Sequence, residues 1–387
     1  MSRMRWILAG GAALAATVTV AIDSALGDHK RGFFVGNATW TTVFNSNVPI
    51  EGLTNDDRGN LYVAPRSAAA LGECPVWRFS ATGGANQTPV TVAHIPAPCN
   101  PLGLAFGRDG RLYITGFGPA GDQIAVTGVS ATSPPTATSF ATGTTGGNGV
   151  AFDRDGNLYV SDGGTAQGRV FRVGPGGGAA TELFRIPTMA NSVGVGRVNS
   201  SLSPAPAAPA PQNIVANGLA FTEDGDLLVA DTARGAVWEV ELDRRGNVQS
   251  PTGCDPTYPA NALCWDSVLV QHPTLEGADG IALDRAGNIW ADPNERNAIV
   301  VVDRHGRVSE AFRNPVGAGS LRNGGPLEFP TSPVLAGRTF CTTNSDGNRR
   351  DNSPNTAGES AGTGKINCLD QRLLSPGVSL PVGGKHH

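Results

Sequence analysis

Asn217-Gly218-Leu219-Ala220-Phe221-Thr222-Glu223-Asp224-Gly225-Asp226-Leu227-Leu228-Val229-Ala230-Asp231 reads as a strand, a tight acidic glycine turn and a second strand. Leu219 and Phe221 alternate with small or polar neighbours before the turn, and 227–230 form a short apolar run after it, the two patterns that mark half-buried and buried strands. The same glycine-to-glycine step recurs at Gly52/Gly59, Gly103/Gly110, Gly149/Gly156, Gly218/Gly225 and Gly280/Gly287. Repetition of one hairpin decides the architecture ahead of any single motif.

Outer strands are expected after each hairpin, at 76–79 and 90–93, 123–127 and 138–140, 168–173 and 181–184, 236–242, and 298–303 and 308–312. A degenerate sixth unit fits 327–343, with 365–369 as a further strand. The β-rich run TWTTVF at 39–44 has no partner close by in sequence. Six units of about four strands, spaced at the roughly 40 to 50 residues of a blade, predict an all-β fold, a six-bladed β-propeller with about four antiparallel strands per blade. Radial closure removes the exposed edges, with 39–44 completing the last blade. A stack of parallel solenoid coils is the alternative, at a shorter period. The Pro- and Ala-rich stretch 200–212 interrupts the repeat, which resumes in phase, so it reads as an insertion loop within one propeller domain spanning 28–387.

Residues 1–27 have the layout of a secretory signal: Arg3 and Arg5, an apolar run over 6–22, then Ala25-Leu26-Gly27. An uncleaved anchor competes with this, but the run is short for a span of about 20 residues, and no later stretch is apolar and long enough. A secreted or periplasmic protein without stable membrane insertion is expected. With a net charge of -4 and no basic stripe, a nucleic-acid partner is excluded as a design. Cys74, Cys99, Cys254, Cys264, Cys341 and Cys368 form no CxxC or Cys/His cluster, so they read as loop staples of an oxidising compartment. Sequence proximity suggests Cys74 with Cys99, Cys254 with Cys264 and Cys341 with Cys368, among about 15 connectivities that six cysteines allow.

Aligned on the first glycine of each repeat, the preceding residue reads Glu51, Leu102, Asn148, Asn217, Asp279. If each first strand is innermost, these positions recur around the central channel and their side chains converge. Two carboxylates and two carboxamides, with no His or Cys, form a hard oxygen set suited to Ca2+ or Mg2+. The structural alternative is that Asn and Asp favour the bend entering a strand beside Gly.

NGLAFTEDGDLLVADT (217–232), ADGIALDRAGNIW (278–290) and IEG (50–52) resemble the senescence-marker-protein/gluconolactonase family, which includes regucalcin. The likeness extends from Glu51 to about Thr343. It implies a divalent metal at the channel mouth, Ca2+ foremost with Mg2+, Mn2+ or Zn2+ as alternatives. By motif its ligands are Glu51, Asn217 and Asp279, with Asn148 near the metal or the substrate. It further implies a lactonase- or esterase-type hydrolase of a small molecule such as a lactone, in which Asp279 is general base or ligand only. Glu51-Gly52-Leu53-Thr54 stands where the family commonly shows Glu-Gly-Pro, so the resemblance does not carry the family's sugar-lactone specificity over to this chain.

His94, His272 and Arg322 are further candidates for the mouth, each equally explained as a loop residue. Asp162, Asp231 and Asp292 close second strands and read as turn-fixing residues. Two other functions compete: a non-catalytic propeller with a structural Ca2+, since fold alone gives no activity, and a quinone-dependent oxidoreductase, weakened by the lack of a His/Arg constellation in the repeats.

Overall fold

The computed structural model describes residues 39–66, 74–118, 121–163, 168–188, 214–314, 325–337, 339–345 and 363–370. The leader at 1–27, the insertion at 200–212 and Arg322 lie outside them. The first strand, β1 (Trp40–Ser46), precedes blade 1, which comprises β2 (Ile50–Asn55), β3 (Asn60–Pro65), β4 (Pro75–Ser80) and β5 (Val90–His94). Blade 2 holds β6 (Leu104–Phe106), β7 (Leu112–Phe117), β8 (Gln123–Thr127) and β9 (Thr138–Thr142). In blade 3, β10 (Val150–Phe152), β11 (Leu158–Asp162) and β12 (Gly168–Val173) lead through the two-residue β13 (Gly178–Ala179) to β14 (Thr181–Ile186). Blade 4 has β15 (Leu219–Phe221), β16 (Leu227–Asp231), β17 (Ala236–Val240) and β18 (Val268–Gln271), and blade 5 has β19 (Ala278–Leu283), β20 (Ile289–Pro293), β21 (Ala298–Val302) and β22 (Val308–Arg313). Blade 6 is β23 (Pro330–Ala336), β24 (Thr339–Asn344) and β25 (Gly364–Asp370), with β1 as its outer strand.

Every blade is antiparallel, blades 1 to 5 in chain order and blade 6 with β1 outside β25, and the parallel pairing of β13 with β9 adds a short strand to the edge of blade 2. First strands touch in the cycle β2, β6, β10, β15, β19, β23 and back to β2, so they are innermost and the ring is closed. The run at 39–44 seals it, because Thr41 pairs with Cys368 and Phe44 with Ile366. Pairing of strands from both ends of the described chain completes the sixth blade. One strand had no signal in the repeats: β18 follows an excursion over 241–267 that the Cys254–Cys264 disulfide ties off.

The core lies between blades. Trp290 of blade 5 packs on Phe340 of blade 6, Tyr159 of blade 3 on Phe221 of blade 4, and Tyr62 of blade 1 on Phe106 of blade 2. Of these, Tyr62, Tyr159 and Trp290 stand near the start of the second strand and fasten the hairpin turn before them. In blade 3, Asp153 accepts hydrogen bonds from the backbone N–H of Asp155 and Asn157, from Asn157 Nδ2 and from the Tyr159 hydroxyl. Asp56 with Tyr62 and Asp284 with Trp290 repeat this arrangement. The glycine closing each turn has positive φ, 83° at Gly156, which an L side chain adopts only with strain. Burial and the Asp56 carboxylate push the Tyr62 hydroxyl up to about 12, so it donates at any physiological pH.

The disulfides join Cys74 to Cys99, Cys254 to Cys264 and Cys341 to Cys368, the pairing suggested by sequence proximity. The last lies directly across β24 and β25. Among the described residues no helix is long and apolar enough to cross a membrane.

Candidate functional site

The first strand of a blade begins, and the second ends, at the same face of the propeller. The residue before each first glycine therefore lies on the face opposite the Asp-bounded hairpin turns. A side chain at Gly52 would run into the carbonyl of Leu102, one at Gly103 into that of Asn148, at Gly149 into Asn217, at Gly218 into Asp279 and at Gly280 into Thr331. Each glycine is thus the point where the next blade's backbone approaches, and the chain of contacts places Glu51, Leu102, Asn148, Asn217, Asp279 and Thr331 in succession around the channel. Thr331 is the sixth member, unseen in the sequence because Ser332 replaces the marker glycine.

Hydroxyls stitch this inner ring. Thr115 donates to the Asn148 carbonyl and Ser161 to that of Asn217, while Thr331 and Thr343 of blade 6 both donate to the Glu51 carbonyl, which closes the circle. At blade 4 the backbone takes over, with Gly218 N–H donating to the Asp279 carbonyl. Register shifts fall between Ile50 and Leu53 and between Ala278 and Ile281, so Glu51-Gly52 and Asp279-Gly280 occupy β-bulges. A bulge turns a side chain out of the strand's regular alternation, and here it serves the two acidic members of the ring.

The side chains come together in two linked groups. Asn148 Nδ2 donates to Asn217 Oδ1 at 2.8 Å, and Asn217 Nδ2 donates to the Thr232 hydroxyl at 3.0 Å. Asp279 accepts from Asn294 Nδ2 at 2.8 Å, and Glu51 is in an ion pair with Arg66. Burial raises the Asp279 carboxyl well above its ordinary value, the negative charge of Glu51 raises it further, and the Asn294 hydrogen bond and the Arg66 charge pull it back. Glu51 and Asp279 therefore share one electrostatic environment. Leu102 leaves the blade 2 sector of the ring apolar.

Three of these partners were missed, although a spacing marks them. Arg66, Thr232 and Asn294 each stand fifteen residues after the ring residue they bond, at the exit of the second strand beside the entry of the first. The same offset falls on Phe117 in blade 2 and Gly163 in blade 3. With no side chain at Gly163, Asn148 turns to Asn217 of the next blade. The signal was a fixed offset across the hairpin rather than a shared residue type.

Asp292 is not the counterpart of Asp162 and Asp231. It stands five residues after its turn glycine and they stand six after theirs, so it takes the place of Ser161 and faces the next blade. Asp231 fixes its turn as expected, accepting from the N–H and guanidinium of Arg234. Asp162 accepts from Thr145 and Arg169 instead. Asp292 is fully buried, its Oδ1 has no hydrogen-bond partner, and its Oδ2 lies 2.5 Å from the Thr342 hydroxyl. That hydroxyl also reaches the Thr343 carbonyl at 3.0 Å. Burial pushes the Asp292 carboxyl well above its ordinary value, and the hydrogen bond donated by Thr342 pulls it back.

His94 ends the outermost strand of blade 1, where its N–H donates to the Pro135 carbonyl, and is not brought to the ring. His272 lies in the connection from blade 4 to blade 5, on the ring's face, with its Nδ1 2.7 Å from the Thr274 hydroxyl. Burial and the Arg296 charge lower its proton affinity.

Among the described residues, no group of three or more His, Cys, Asp or Glu side chains is gathered to hold a metal ion. Residues 207–320, which span blades 4 and 5, match the family model of the SMP-30/Gluconolactonase/LRE-like region, the family that the repeats resemble. No curated protein matches the chain significantly. Among solved structures, the chain is similar to a luciferin-regenerating enzyme, with 13% identity, a TM-score of 0.52 and coverage of 90% of this chain and 98% of that one. It is similar to a calcium-binding protein, regucalcin, from Agrobacterium tumefaciens, with 18% identity, a TM-score of 0.50 and coverage of 89% and 97%. A gluconolactonase from Xanthomonas campestris aligns with 14% identity, a TM-score of 0.50 and coverage of 87% and 91%. At these identities the likeness establishes the propeller fold.

Proposed function

We propose that the ring end of the channel is a divalent-cation site in an exported hydrolase of the lactonase or esterase type. The observation that carries this is the pairing of Glu51 with the buried Asp279 in one field, beside the hydrogen-bonded carboxamides of Asn148 and Asn217. A buried carboxyl whose ionisation is made costlier by a neighbouring acid is what a dication relieves. The donor set fits such an ion: carboxylate and amide oxygens without nitrogen or sulfur, preferred by Ca2+ and then by Mg2+ or Mn2+, with Zn2+ less suited. Glu51, Asn217 and Asp279 would hold it. When bound, the ion would polarise a carbonyl and acidify a water molecule.

The chain's own groups supply the rest. Asn148, bonded through Nδ2 to Asn217, has its amide oxygen left to orient a substrate hydroxyl or water. Asn294 fixes one oxygen of Asp279, leaving the other to take a proton from attacking water, and burial makes that carboxylate a better base than an exposed one. Ligation would weaken this basicity, so ligand and base are alternative roles. The family match over blades 4 and 5, and the calcium-binding and gluconolactonase descriptions of proteins of this fold, support the reading. Three disulfides that use all six cysteines support export, since such bridges persist in oxidising compartments. The N-terminal 1–27 segment would be the signal and 28–387 the mature propeller.

The test is hydrolysis of a panel of lactones and aryl esters by the purified chain, with added Ca2+, Mg2+, Mn2+ or Zn2+ and with chelator. Turnover that requires a divalent ion and is lost in Glu51→Gln and Asp279→Asn supports the proposal. Absence of hydrolysis with every ion, or activity that survives both substitutions together, overturns it. Stabilisation by Ca2+ without turnover selects the non-catalytic propeller instead.

A further inference from the structure

Blade 1 differs from blades 4 and 5 at the position fifteen residues beyond the ring. There Thr232 and Asn294 hold Asn217 and Asp279 through neutral groups, whereas Arg66 brings a full positive charge to Glu51. We propose that Arg66 is a built-in counter-cation that competes with the divalent ion for Glu51 and thereby sets the affinity of the site. The inference rests on the cation site argued above.

The two partners are unequally free to move. Glu51 is fixed by the bulge in β2, its carbonyl accepts from Thr331 and Thr343, and its side chain is 11% exposed. The Arg66 backbone is tied as well, through its N–H to the Pro49 carbonyl at 2.7 Å, but its side chain is 34% exposed, against 11% for Glu51. Exchange of the guanidinium for another cation is therefore a rotamer change of Arg66 rather than a rearrangement of the ring. Arg66 Nη1 meets Glu51 Oε2, the group on which a cation would need to bind. A guanidinium and a dication cannot share that carboxylate at close range without repulsion. Asp279 feels the positive charge of Arg66 too, so displacement of Arg66 is compensated only by an ion that serves both acids.

The experiment is calorimetric titration of the full chain with Ca2+ in the absence of substrate. Removing the competitor in Arg66→Ala should tighten Ca2+ binding about tenfold, equivalent to about 1.4 kcal/mol. Arg66→Lys, which keeps the charge, should stay within about threefold of the unmodified protein. In a Glu51→Gln background the Arg66→Ala change should have a smaller effect, because the direct competition has lost its object and only the charge felt at Asp279 remains. Equal or weaker binding in Arg66→Ala, with Ca2+ still bound by the unmodified protein, overturns the competition and leaves the cation site standing. No binding to either protein overturns both. Thermal unfolding in chelator checks that each variant is folded, and the Ca2+-dependent rise in Tm should be larger for Arg66→Ala than for the unmodified chain.

Discussion

Asp279→Asn should make the cation-free protein more stable and the cation-loaded protein relatively less so. Asp279 is buried and its carboxyl is raised by burial and then by Glu51, so the folded state binds this proton more tightly than the unfolded state does. The sign follows by linkage: the group's stabilisation is fully present below its ordinary value of 3.8 and is lost as pH rises through the higher folded value. At neutral pH the chelated wild type therefore carries an ionisation penalty that an isosteric amide removes, while the amide oxygen can still accept from Asn294. Relief of a buried, incompletely compensated polar group amounts to about 1–3 kcal/mol, about 2 °C or less in Tm per kcal/mol for a chain of this size. With Ca2+ at a hundred times its Kd, the wild type should gain about 2.7 kcal/mol, most of which the variant forfeits. Thermal unfolding at several pH values, in chelator and in Ca2+, reads both effects. The variant should show a flatter pH dependence in chelator, with a residual slope of the same sign from Asp292. A less stable variant in chelator at neutral pH, or an undiminished response to Ca2+, would refute the reasoning.

Two further outcomes test the fold. Asp153→Ala removes the acceptor of four hydrogen bonds, one from the buried Tyr159 hydroxyl, and should cost about 2–3 kcal/mol in urea unfolding, clearly more than Asp243→Ala in a turn bonded only to exposed groups. Replacing Cys341 and Cys368 together by Ser opens a loop with a separation of 27 residues, and replacing Cys254 and Cys264 opens one of 10. Chain entropy gives about 3.6 and about 2.7 kcal/mol respectively, so the first pair should lower the urea midpoint more than the second.

The propeller was legible because its blades share a local code. In blades 1, 3 and 5 the Asp-x-x-Gly turn and the aromatic three residues after its glycine fold the hairpin by short-range contacts, the other blades keep a glycine turn between two strands, and the repetition leaves ring closure as the way to cover the inner edges. Strand β18 escaped because it lies beyond the disulfide-tied excursion and carries no turn signal of its own. Asp292 was grouped with the wrong column by a single residue, and in a strand one residue is the difference between the two faces of the sheet. Its hydrogen bond comes from Thr342 of a different blade, a contact no local pattern contains.

The ring residue and its partner carry different kinds of information. Glu51, Asn148, Asn217 and Asp279 were visible together because each must present oxygen at the same place beside a glycine that admits the neighbouring backbone. Their partners need only suit one neighbour each: a hydroxyl for Asn217, an amide for Asp279, a guanidinium for Glu51 and nothing for Asn148. Similar rings can thus be given different charge by residues fifteen places away. Two acids alone suit a dication, whereas two acids with Arg66 are part-compensated without one. On the proposed cation site, affinity would therefore be set by that second set, and Arg66 is where blade 1 departs from the neutral partners of blades 4 and 5.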